Sequence, residues 1–161
     1  ELTEQRRVLA RAKEARVMGM NLDPVEILAV FGDDDPTQYA AEAKERWGDT
    51  EAYRESNRRT STYTADDWRA EGEQRTAIDS AFADLLVAGV PAGDARTAAV
   101  AEEHRLHIDR WFYPCSYDMQ VGLAEMYVAD PRFAAHYDER APGLAAYVRD
   151  AILANAIDRV S

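Results

Sequence analysis

What most constrains the fold of this chain is the recurrence of helix-start signals along it. Asp23-Pro24-Val25-Glu26 combines an N-cap acid, a proline in the first turn and a Glu three residues after the cap. Phe31-Gly32 closes that element. Asp35-Pro36 repeats the signal and opens a helix through about Trp47. Gly48-Asp49-Thr50 breaks it and caps the next, over roughly 51–59. Thr64-Ala65-Asp66-Asp67 reads as a capping box for a long helix ending at Ala88-Gly89-Val90-Pro91. Asp94 opens another long helix that contains the segment around Cys115. Asp130-Pro131 starts a short one, and Ala141-Pro142-Gly143 precedes the last, over about 144–157. No stretch alternates apolar and polar residues with β-branched enrichment, so the chain reads as all-α.

At 161 residues the chain fits one domain with a short appendage, and a domain of that size buries a core without disulfides or metal staples. A single cysteine and no apolar leader predict a reducing, cytoplasmic setting. The apolar stretches are too short to cross a bilayer, so no membrane partner is expected. The net charge of −11 opposes contact with a phosphate backbone, and no direct nucleic-acid binding is expected. The first 16 residues are the exception, with Arg6, Arg7, Arg11, Lys13 and Arg16 against Glu1, Glu4 and Glu14, which reads as a solvated helix face. Leu2, Leu9 and Arg16 stand seven apart there, a weak heptad suggesting the end of a coiled coil.

Residues 32–64 are strongly charged, and their apolar content is mainly Tyr39, Trp47, Tyr53, Tyr63 and alanines. Such a segment has little aliphatic surface to offset the entropy of ordering it. It suits either a lid that orders on a ligand or aromatics that simply dock on the core.

Four of the chain's 15 aromatic residues, Trp111, Phe112, Tyr113 and Tyr117, lie around Cys115. On one continuous helix over 95–129, His104, His107, Trp111 and Cys115 would share a stripe. Pro114 has no N–H for the carbonyl of Arg110, so a kink or break is expected just before the cysteine. His107 is about 12 Å and His104 about 16 Å from Cys115 along such an axis. Neither can act as its base from the same helix, and His136 could approach only through the tertiary fold. Gly-x-Ser-x-Gly, paired Glu-x-x-His motifs and a glycine-rich phosphate loop are all lacking, so no catalytic residue, metal or cofactor is assigned. His104 and His107 form the one close pair of metal-type ligands, too few for a zinc site. Cys115 is then either an inert packing residue or a nucleophile for a strong electrophile held beside it.

Met18-Gly19-Met20-Asn21-Leu22, Val30-Phe31-Gly32-Asp33 and Glu45-Arg46-Trp47-Gly48-Asp49-Thr50-Glu51-Ala52-Tyr53 resemble the start of the TipA-type antibiotic-recognition domain. Ala101-Glu102-Glu103-His104-Arg105, Tyr113-Pro114-Cys115-Ser116-Tyr117, Glu125-Met126-Tyr127-Val128-Ala129-Asp130 and the block from Pro142 to Ile152 continue the resemblance in order. It covers Met18 to about Ile157. The family is the effector-binding half of MerR-type transcription activators, and the resemblance implies a globin-like helical fold, binding rather than catalysis, and thiopeptide ligands such as thiostrepton. It also implies covalent attachment of a ligand dehydroalanine at Cys115, with non-covalent capture of another antibiotic such as albicidin as the alternative. A helical protein-interaction module is the rival from another class.

Under the resemblance, residues 1–17 correspond to the end of a dimerisation helix, so a homodimer through that helix is expected. Residues 18–161 correspond to the recognition domain, and DNA contact falls to a part absent from this sequence. The expected ligand-binding residues are Trp111, Phe112, Tyr113, Tyr117, Met119 and His104, with Tyr53 and Trp68 as lid or wall. Two departures stand out: Pro114 replaces the family's usual Asp before the cysteine, and Trp111-Phe112 is more aromatic than the family's version.

Overall fold

A computed structural model of the chain describes residue 45 and residues 47–160. The expectations for the coiled-coil end (1–17), the elements opened at Asp23 and Asp35, and residues 32–44 fall on residues outside that range. Among the described residues every regular element is an α-helix. The six helices there are α1 (Glu51–Thr60), α2 (Ala65–Val87), α3 (Ala95–Trp111), α4 (Tyr117–Ala129), α5 (Pro131–Asp138) and α6 (Leu144–Val160). Glu45 and Trp47 are helical as well, and Gly48, where a break is expected, lies in a turn.

The ends of these helices follow from local chemistry. Thr50 caps α1, its hydroxyl accepting the Tyr53 N–H at 3.2 Å. Thr64 and Asp67 cap α2 reciprocally, each side chain accepting the other's backbone N–H, at 3.2 and 2.9 Å. At the far end of α2, Gly89 takes φ +77°. The Gly89 N–H returns to the Leu86 carbonyl and the Val90 N–H to the Leu85 carbonyl, both at 3.0 Å. That is a Schellman ending, which needs a residue tolerant of the left-handed region. Ser116 caps α4 through the Met119 N–H, 3.1 Å, and Asp130 caps α5 ahead of Pro131.

The chain divides into two compact units, residues 1–73 with 110–114, and residues 74–109 with 115–161. The division falls inside α2 and just before the end of α3. In the second unit the core is built on α6, where Leu144, Ala145, Val148, Ala151 and Ile152 recur at helical spacing and are buried. Ile78 and Phe82 of α2, Ala101 of α3, Ala124 of α4 and Tyr137 of α5 complete the cluster. Leu144, Val148, Ile152 and Phe82 are fully buried, and each such side chain contributes about 1.5–3 kcal/mol. The hydroxyl of Tyr147 donates to the Val90 carbonyl at 2.7 Å and meets the Thr97 hydroxyl at 3.2 Å, which ties α6 to the turn after α2 and to the first turn of α3.

The long helix expected from Asp94 through the cysteine segment does not form. α3 stops at Trp111 and a new helix starts at Tyr117. The physical reason is the missing N–H at Pro114, together with an N-cap serine two residues later. Consequently only His104, His107 and Trp111 keep the stripe, and all three are buried.

Candidate functional site

In the first unit the break at Pro114 leaves an aromatic cluster. Tyr63, in the turn between α1 and α2, stands edge-on to both Trp68 and Trp111, with ring centroids 5.5 Å away in each case. Trp68 lies 6.3 Å from Phe112. Trp68 and Trp111 are buried, whereas Tyr63 and Phe112 are half-buried. Edge-to-face pairs of this kind contribute about 0.5–1.5 kcal/mol each beyond the area they bury. The hydroxyl of Tyr63 donates to the Trp111 carbonyl. Burial is the main influence on that phenol and pushes its pKa up, so it keeps its proton and acts as a donor.

Three of the expected ligand-binding residues, Trp68, Trp111 and Phe112, are therefore brought together, around a fourth aromatic, Tyr63, that is not among those expected. Tyr113 is half-buried in the same 110–114 stretch. Tyr53, on α1, is also half-buried, and its hydroxyl is buried with no hydrogen-bond partner among the described residues.

In the second unit Cys115 is 2% exposed. Its N–H donates to Asp109 Oδ1 at 2.9 Å, and its carbonyl accepts from Arg105 Nη1 at 2.9 Å. Sγ faces the Ser116 carbonyl at 3.7 Å. Burial pushes the thiol up to about 11, with Arg105 pulling it down and Asp109 up. Around it Arg105 forks onto Glu102, with Nη2 to Oε2 at 2.7 Å and Nε to Oε1 at 3.2 Å. The guanidinium also lies 4.3 Å from the centre of the Tyr117 ring. Glu102 accepts further from the Tyr117 hydroxyl at 3.0 Å and from Asn155 Nδ2 at 3.1 Å. Arg105 above all holds that carboxyl down at about 2. Tyr117 thus has both its hydroxyl and one face engaged by the protein, while the Met119 side chain is exposed.

His104 stands inside this unit rather than at its surface. Gln120 Nε2 donates to the Ala101 carbonyl at 2.8 Å and to His104 Nδ1 at 3.0 Å. That assigns the imidazole proton to Nε2, which faces the Tyr127 hydroxyl at 3.4 Å. Phe82 and Tyr127 pack edge-on against the ring. Burial is the main cause of a pKa lowered to about 4, against an opposing pull from Asp79. Below pH 6.5 the unfolded chain therefore takes up a proton that the folded one refuses. Stability should fall by about 3 kcal/mol as pH drops from 6.5 to 4. An NMR titration of His104 checks this: the midpoint is expected near pH 4, and a midpoint at 6 or above overturns it.

Among the described residues, no group of three or more His, Cys, Asp or Glu is arranged to hold a metal ion, and no helix is long and apolar enough to cross a membrane. Two clusters remain that could meet a ligand. One is aromatic and partly open; the other is a single thiol clamped through its own backbone.

Residues 39–155 match the TipAS antibiotic-recognition domain. This chain belongs to that family. It is 46% identical over 157 residues to the HTH-type transcriptional activator TipA of Streptomyces coelicolor, covering 98% of this chain and 62% of that protein. It is 36% identical over 115 residues to the HTH-type transcriptional activator mta of Bacillus subtilis, covering 71% of this chain and 44% of that one. The chain thus spans about three-fifths of the TipA relative. Among solved structures it resembles TipAS from Streptomyces lividans in complex with nosiheptide, described as part of a thiopeptide antibiotic multidrug resistance system. The TM-score is 0.80 at 46% identity, over 88% of this chain and 99% of that one. The antibiotic-binding domain of a TipA-class multidrug resistance transcriptional regulator matches 58% of the chain at 42% identity, with a TM-score of 0.54.

Proposed function

We propose that this chain is the drug-sensing part of a MerR-type transcription activator acting in the cytoplasm. It binds hydrophobic peptide antibiotics of the thiopeptide class and catalyses nothing. One observation carries the reading: a family member at 46% identity holds a thiopeptide, and this chain assembles Tyr63, Trp68, Trp111 and Phe112 into one aromatic cluster. The half-buried Tyr63 and Phe112 offer their faces to flat heterocycles, with the buried indoles as the wall behind them. DNA contact belongs to a region outside this sequence, in keeping with the net charge of −11, and dimerisation belongs to residues 1–17.

In this reading Cys115 is the point of covalent attachment. Its thiolate adds to the β-carbon of a ligand dehydroalanine, a C–S bond forms, and the electron pair of the C=C bond takes a proton from solvent at the α-carbon. Nothing leaves. The buried, protonated state of the thiol favours recognition that is non-covalent first, with addition as a slow second step.

Thermal unfolding with increasing nosiheptide tests the binding claim. At a free ligand concentration of 100 times Kd the folded state should gain about 2.7 kcal/mol. A melting temperature that stays constant up to the solubility limit of the ligand overturns it.

A further inference from the structure

We propose that Tyr63 and Arg59 are positioning residues for the aromatic cluster, holding it by the carbonyls of Arg110 and Trp111 at the end of α3, and that this latch sets how tightly the cluster takes its ligand. The proposal rests on the reading of the cluster as a ligand-binding surface.

In an uninterrupted helix the Arg110 carbonyl would receive the N–H of residue 114, and the Trp111 carbonyl that of residue 115. Proline at 114 has no N–H to give. The N–H of Cys115 is donated elsewhere, to Asp109 at 2.9 Å. Both carbonyls are met instead by side chains from α1 and the turn after it. Arg59 Nη1 reaches the Arg110 carbonyl at 3.4 Å, and the Tyr63 hydroxyl reaches that of Trp111. Trp111 is 7% exposed, where a carbonyl without a donor is costly. Arg59 is held ready by Glu55, whose Oε2 accepts from Nε at 2.6 Å.

One tyrosine thus performs two tasks. Its hydroxyl fixes the backbone at Trp111, next to Phe112, while its ring packs on Trp68 and Trp111 at 5.5 Å. Tyr63→Phe keeps the ring and deletes only the first task, which makes the two separable.

The test is a cycle of wild type, Tyr63→Phe, Pro114→Ala and the double variant in the full chain. Nosiheptide affinity is measured by calorimetric titration, and the tryptophan signals by near-UV circular dichroism without ligand. Tyr63→Phe should weaken binding about five- to tenfold in the wild-type background. Restoring an N–H at position 114 gives the Arg110 carbonyl a donor within the helix, so α3 runs on and the N–H of residue 115 turns from Asp109 to the Trp111 carbonyl, the one Tyr63 serves. In that background the same substitution should change Kd by less than about twofold. A residue that merely stabilises the fold would lose the same amount in both backgrounds, and that result, or no loss in the wild type, overturns the latch. If wild type binds no nosiheptide, the ligand reading fails instead. The latch is then judged on the circular dichroism cycle. There Tyr63→Phe should alter the tryptophan bands in the wild-type background and leave them unchanged in the Pro114→Ala background, and equal changes in both overturn the latch. Should Pro114→Ala not fold, Arg59→Met replaces it: both single variants should then weaken binding, and an unchanged Kd in either overturns the proposal.

Discussion

Alkylation of Cys115 by iodoacetamide is expected to be very slow at pH 7 and to accelerate about tenfold with each pH unit up to pH 10. The cause is burial, which raises the thiol to about 11. At pH 7 the thiolate is then about one part in ten thousand, roughly a hundredfold less than for a cysteine with an ordinary pKa. The sign follows from the charge: an apolar surrounding penalises the anion, so the neutral thiol dominates until the solution is strongly alkaline. Unfolding the chain should remove the effect and restore ordinary reactivity. Labelling of the folded chain at pH 7 as fast as that of the unfolded chain would show that the thiol is not held as described. Covalent capture has the same dependence. Thiostrepton should add one ligand mass to the wild-type chain, faster at pH 9 than at pH 7, and add nothing to Cys115→Ser. An adduct on the serine variant, or none on the wild type at pH 9, sinks the assignment of Cys115 as the attachment point.

Trp68→Ala is expected to cost about 3–5 kcal/mol of stability, the range for deleting a buried large aromatic side chain. Trp68 is 2% exposed and packs on Tyr63 at 5.5 Å and on Phe112 at 6.3 Å. The loss combines the burial free energy the indole contributes on folding, the cavity left behind and two ring contacts. Trp68→Phe retains most of the volume and should lose less than half as much. Urea unfolding monitored by far-UV circular dichroism reads both variants, with the slope against denaturant as the control that the unfolded states are comparable. A loss below about 1 kcal/mol for Trp68→Ala would mean that the site collapses around the smaller side chain. The cluster would then not be the rigid wall the function needs.

How much of this is legible in the sequence varies by residue. The caps at Thr50, Thr64-Asp67, Asp94 and Asp130 are readable because a capping side chain acts on N–H groups within three residues of itself. A break at Pro114 is readable for the same local reason. That α3 ends there and a separate helix begins is not, because a helical stripe that includes Cys115 looks identical on paper whether or not the chain continues. Position beside Cys115 points to Trp111 and Phe112, and aromaticity alone to Trp68; the structure brings the three together. The same neighbourhood points to His104, which the structure holds inside a core between Gln120 and Tyr127. Tyr63 stands out in the sequence only as one of several aromatics in 32–64, and Arg59 not at all, although a signal for a donor exists: a proline that strips a carbonyl of its helical donor requires a replacement from somewhere.

Sequence alone determined the helical class, the caps at Thr50, Thr64-Asp67, Asp94 and Asp130, and the family, since each depends on short-range chemistry or on matching blocks in order. Only the tertiary structure decided that Cys115 rests as a buried, protonated thiol. It alone decided, too, that the donors for Arg110 and Trp111 come from residues 51 and 48 positions away in the chain. Burial and long-range hydrogen bonds depend on which surfaces meet, and residue spacing along the chain does not encode that.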